Sequence, residues 1–94
     1  MLNDLYIKKF IVAHNIHQIF IQSFKSLLNQ NTCEDLDIGN KNILIETENL
    51  DFELLDEDAI TFKSQIDKDG NKIGYYRLVF SLNGELIDES FVIY

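Results

Sequence analysis

Two turn signals, Asp67-Lys68-Asp69-Gly70-Asn71 and Asn83-Gly84, divide the last third of this chain into apolar runs whose hydrophobic residues alternate with polar ones. Alternation at period two gives a strand one apolar and one polar face. Asn-Gly between such runs is the strongest short-range hairpin cue, because both central positions of a two-residue turn need positive φ. That loop pairs Leu82 with Glu85, Phe80 with Ile87 and Tyr76 with Phe91. With Leu78 and Ile93, these residues make one apolar face. The preceding hairpin takes its register from the same face. A two- or four-residue loop sets Phe62 opposite Arg77 and off the face. A three-residue loop with a bulge at Gly70 pairs Asp67 with Asn71, Phe62 with Tyr76 and Ile60 with Leu78, and is the expected arrangement.

The strand rhythm begins at Ile43. Ile43, Ile45 and Thr47 alternate with Leu44 and Glu46, and Leu50, Phe52 and Leu54 alternate with Asp51 and Glu53. Thr47-Glu48-Asn49 is the expected bend between them. A short helix over 49–57 competes, since Leu50 and Leu54 also fit that spacing.

The first thirty residues follow a helical period. Leu2, Tyr6, Phe10, Ala13, Phe20, Phe24 and Leu27 make an apolar stripe, and Asn3 or Asp4 can cap its start. Ile7 and Ile11 fall on the polar face of a continuous helix. Either the helix breaks near His14-Asn15, with Asn15 capping a second helix and Gln18 reaching back, or Ile7 and Ile11 face a partner chain. One long helix, or one kinked at His14-Asn15, is the expectation. Residues 29–42 read as a loop. One apolar sheet face needs a cover, and the N-terminal helix is the cover available. The expected fold is α+β: an N-terminal helix (1–30) on a four- to five-stranded antiparallel meander (43–94), in a single domain spanning 1–94.

Cys33 is the lone cysteine, so no intrachain disulfide is expected. No apolar run is long enough for a membrane span, and the polar residues interrupting the N-terminal stretch argue against a signal peptide. A cytoplasmic location follows by elimination.

The net charge is −8. It disfavours nucleic-acid phosphates and anionic membranes and favours a basic protein partner. The charge is uneven: residues 1–30 sum to +2, residues 31–62 to −9 and residues 63–94 to −1.

Catalytic constellations are weak. His14 and His17, at i and i+3, can share one helix face, but a zinc site needs three or four ligands and no further ligand follows at a defined spacing. The Asp67–Asn71 segment lacks the glycine and glutamate positions of a calcium loop. Neither phosphate-binding glycine motifs nor a nucleophile elbow occur. No enzyme activity, metal or cofactor is expected.

The acidic segment carries the functional content. Glu46, Glu48, Asp51, Glu53, Asp56, Glu57 and Asp58 place seven carboxylates within thirteen residues, interleaved with Leu50, Phe52, Leu54 and Leu55. Strand alternation displays the acids on one face while the apolar residues anchor the other. Such a surface suits a cationic protein groove. The expectation is a non-enzymatic protein that neutralises a basic partner. Its concrete forms are an immunity protein for a bacterial nuclease toxin and a phage-encoded inhibitor of a nucleic-acid-handling defence complex. The alternative is a homodimer, with Ile7 and Ile11 in the contact, that serves as an assembly module or binds a small molecule near Phe62, Tyr75, Tyr76 and Arg77.

Overall fold

A computed structural model describes residues 4–40, 42–47, 50–55 and 58–94. Two helices, α1 (Asp4–Ala13) and α2 (Ile16–Gln30), precede five strands. These are β1 (Leu44–Ile45), β2 (Asp51–Leu55), β3 (Ala59–Lys68), β4 (Asn71–Ser81) and β5 (Leu86–Ile93). All pairings are antiparallel, in the order β1-β3-β4-β5, with β2 also on β3. The α+β reading therefore holds. No helix among the described residues is long and apolar enough to cross a membrane.

The helical segment is broken where Ile7 and Ile11 demanded it. Asn15 adopts the left-handed conformation, φ 52° and ψ 45°, which asparagine tolerates better than most residues. It makes no side-chain cap, so the expected capping box is absent. The break re-aims α1: Ile7 is 3% exposed within the chain's own core, and Ile11 is half-buried against it. This corrects their assignment to a partner contact.

β1 and β2 do not pair with each other. Both run along one edge of β3, Leu44 opposite Asp67 and Asp51 opposite Lys63. The Glu46 N–H donates to the Ser64 hydroxyl at 2.8 Å where β1 ends. Residues 51–55 are strand, not helix.

The two hairpins exchange the loop types expected of them. At β3–β4 the turn has two central residues, Asp69 and Gly70, with φ of 52° and 82°. Both are left-handed, the type I′ arrangement that suits the twist of a hairpin. A two-residue turn alone puts Phe62 on the wrong face. A bulge at Ile73 adds one residue to β4 and restores the parity. Phe62 then faces Leu78 and Ile60 faces Phe80, two residues from the expected register but on the expected face.

At β4–β5 the loop is Leu82-Asn83-Gly84. Only Gly84 is left-handed, at φ 86°. Ser81 and Glu85 close the loop, the Ser81 N–H donating to the Glu85 carbonyl at 2.8 Å. Tyr76 faces Phe91 as expected, but a shift after Val79 sets Phe80 opposite Leu86 in place of Ile87. The Leu82 N–H bonds the Asp58 carbonyl at 3.3 Å, carrying the β3 side of the ladder one residue past Ser81.

Ile60, Phe62, Ile66, Tyr76, Leu78 and Phe80 are fully buried on the covered face. Phe10 stacks on Phe62 at 6.0 Å, and Phe20 and Phe24 meet Tyr76 edge-on at 5.4 and 5.2 Å. The 31–43 connection adds Leu36, Ile38 and Ile43 to this core. Leu36 and Ile38 enter through one tight turn, in which Thr32 and Asp35 bond each other's backbone N–H with their side chains and left-handed Asp37 ends the turn.

Candidate functional site

The face turned away from the helices is polar and ordered in rows. Register sets Asp51, Lys63, Arg77 and Ser90 side by side across four strands, and Glu53, Thr61, Val79 and Asp88 in the adjacent row. Neighbours within a row lie about 5 Å apart, and rows about 7 Å. Asp51, Phe52, Glu53, Thr61, Lys63, Tyr75 and Arg77 line a groove of about 290 Å³.

Four observations describe its chemistry. Lys63 and Arg77, both cations, are direct cross-strand neighbours, an arrangement that is repulsive by itself. The Lys63 ammonium is drawn over the Tyr75 ring, 5.0 Å from its centre. Arg77 donates from one terminal nitrogen to Ser90 Oγ at 3.1 Å, while its Nε is buried with no hydrogen-bond partner among the described residues. Thr61 is 5% exposed, and its hydroxyl is also buried and unpartnered there. A buried polar group without a partner costs about 1–3 kcal/mol.

The acids expected to bind a partner are placed as follows. Asp51 and Glu53 are exposed on the outer face of β2, on the rim of the groove. Glu46 is exposed beyond β1, and Asp58 is exposed in the turn before β3. Glu48, Asp56 and Glu57 lie outside the described residues. The alternation expected of β2 is present: Phe52 and Leu54 take the opposite face, across from Phe62 and Ile60. Each remains 44% exposed, and the far edge of β2 has no strand partner among the described residues.

Of the residues expected around a small-molecule site, Tyr75 and Arg77 line the groove. Phe62 and Tyr76 belong to the core on the other face. Thr61 and Lys63 were not singled out by sequence. Their signal was available as odd-numbered polar positions in strongly apolar strands.

His14 and His17 straddle the helix break. His14 packs on Phe10 with ring centres 4.6 Å apart and against Gly84, while His17 is exposed. Cys33 is half-buried against the core. At the opposite sheet edge the Tyr76 hydroxyl donates to the Glu89 carboxylate. Burial, and secondarily Glu89, hold that phenol protonated well above its ordinary range.

Compared with protein-family models, curated proteins and solved structures, the chain matches none.

Proposed function

We propose that this chain is a non-enzymatic binding protein that captures a basic protein along β2. The observation that carries the reading is the composition of that edge. Exposed Asp51 and Glu53 project from one side of the strand, and half-exposed Phe52 and Leu54 from the other. Glu46 and Asp58 extend the negative surface at either end.

The two kinds of group do different work. Carboxylates raise the association rate with a cationic surface and disfavour wrong partners. Burying the exposed remainder of Phe52 and Leu54 contributes about 1 kcal/mol each, scaled from roughly 1.5–3 for full burial. The partner class is a protein with a cationic groove. A nuclease toxin held by its immunity protein, or a defence complex held by a phage inhibitor, is the concrete arrangement. Ile7 contributes nothing to a surface contact, so the homodimer alternative loses the residue that motivated it.

The test compares the chain with a variant carrying Glu46→Lys, Asp51→Lys, Glu53→Lys and Asp58→Lys. Both are immobilised and used to capture proteins from lysate, with the fold checked by circular dichroism. The wild type is expected to retain a protein of high isoelectric point, released as salt rises from about 50 to about 500 mM. The folded variant is expected to lose it. Identical capture by both chains refutes the electrostatic reading.

A further inference from the structure

We propose that the outer-face groove is a binding site for a small zwitterion, an organic carboxylate that also carries an ammonium group. The argument starts from donors that lack acceptors. The Thr61 hydroxyl and Arg77 Nε are buried without partners among the described residues, and both residues line the same groove. Thr61 is 5% exposed and lies on the groove wall. Lys63 stands directly across from Arg77 and brings a second positive charge.

A carboxylate answers all of these at once. It accepts two or more hydrogen bonds, suits a guanidinium in particular, and relieves the repulsion between neighbouring cations. Asp51 and Glu53, exposed on the β2 side of the groove, determine what else the ligand carries. They repel a polyanion and attract an ammonium group. Asp51 lies two strands from Arg77, so the two charges of the ligand are held about 5–10 Å apart by the strand spacing. A groove of about 290 Å³ limits the occupant to a few heavy atoms more than an amino acid. Tyr75 contributes a ring whose face is already engaged by Lys63. The site shares Asp51 and Glu53 with the edge proposed to capture a protein, but its test needs no partner.

The experiment is an amide chemical-shift titration of the full chain with four probes: glycine, 4-aminobutyrate, acetate and inorganic phosphate. 4-Aminobutyrate is expected to move the amides of Thr61, Lys63, Tyr75 and Arg77, whereas glycine, whose two charges sit on one carbon and cannot span from Asp51 to Arg77, should bind no better than acetate. Acetate should require roughly ten-fold more ligand and phosphate more still, one lost ion contact being worth about a factor of ten. Thr61→Val keeps the β-branched shape and removes the hydroxyl. It is expected to weaken zwitterion binding about five- to ten-fold, one hydrogen bond to a charged group, and to leave the denaturation midpoint unchanged or raised. Arg77→Lys keeps the charge, removes Nε, and should weaken binding similarly. Asp51→Asn with Glu53→Gln should bring acetate and 4-aminobutyrate to equal affinity. The proposal is overturned if no probe moves these amides, if phosphate binds more tightly than the zwitterions, or if Thr61→Val binds as the wild type does.

Discussion

Replacing Tyr76 with Phe separates what the aromatic core contributes from what one hydroxyl contributes. The ring is fully buried, meeting Phe20 and Phe24 edge-on at 5.4 and 5.2 Å, and Phe keeps those contacts. The hydroxyl donates to Glu89 on β5. A hydrogen bond to a charged acceptor contributes about 1.5–3 kcal/mol, and the exposed Glu89 regains water when it is lost, so the expected loss near neutral pH is about 1 kcal/mol. The larger effect is in the pH dependence. Burial first, and Glu89 second, raise the phenol's pKa above its ordinary value of 10.0. The folded chain therefore keeps this proton where the unfolded chain releases it. The stabilisation is fully present below about pH 10 and is lost as pH rises beyond it, by about 1.4 kcal/mol per pH unit. Tyr76→Phe removes one proton from this linkage. Urea unfolding followed by circular dichroism, at neutral pH and between about pH 9.5 and 11, should show the variant's stability falling less steeply by that slope. Parallel curves for the two chains would refute the reasoning.

Other perturbations test the parts of the fold that hold the site. Asn15→Gly should leave stability within about 0.5 kcal/mol, because position 15 is left-handed; Asn15→Val should lower it by about 1–2 kcal/mol in the same unfolding assay. Ser64→Ala removes the acceptor for the Glu46 N–H and should raise hydrogen exchange at that amide, with a loss of about 1 kcal/mol. Gly84→Ala puts a methyl group into the His14 ring at a residue with φ 86°, so it should lower stability by more than about 1 kcal/mol, and His14→Ala in the same chain should recover part of it. Asp51→Lys with Glu53→Lys should lower stability by up to about 1 kcal/mol, since Asp51 lies opposite Lys63 and the exchange sets a third cation in the row of Lys63 and Arg77.

The faces of the sheet were legible because alternation is a property of each strand alone. Ile60, Phe62, Tyr76, Leu78 and Phe80 read as one apolar face and are one. The helix break was legible as a conflict, since Ile7 and Ile11 could not lie on a polar face without a second explanation. What failed was the count of residues in the turns. Two compensating irregularities, a two-residue turn at Asp69-Gly70 and a bulge at Ile73, give the same parity as the single three-residue loop that sequence favoured. Parity is all that hydrophobic pattern reports. The connection over 31–43 was unreadable for another reason. Its core residues Leu36, Ile38 and Ile43 follow neither period, because a tight turn carries Leu36 and Ile38 inward while Ile43 precedes β1.

That two-residue slip leaves the core almost indifferent, yet it decides the chemistry of the outer face. In the expected register Lys63 lies across from Tyr75, and Thr61 from Arg77. Each cation then has a neutral neighbour, and the Thr61 hydroxyl has a donor directly opposite. In the observed register Lys63 meets Arg77, and Thr61 meets apolar Val79. Two cations are brought together, and the hydroxyl has no hydrogen-bond partner among the described residues. The acidic edge is different, because exposed carboxylates on β2 follow from alternation whatever strand lies beside them. Partner capture by β2 is therefore a hypothesis that sequence can generate. A ligand in the groove is one that only the observed register, Lys63 opposite Arg77, makes available, so deleting Ile73, which removes the bulge but keeps Ile66 opposite Gly74 and that cation pair in place, should leave zwitterion binding intact.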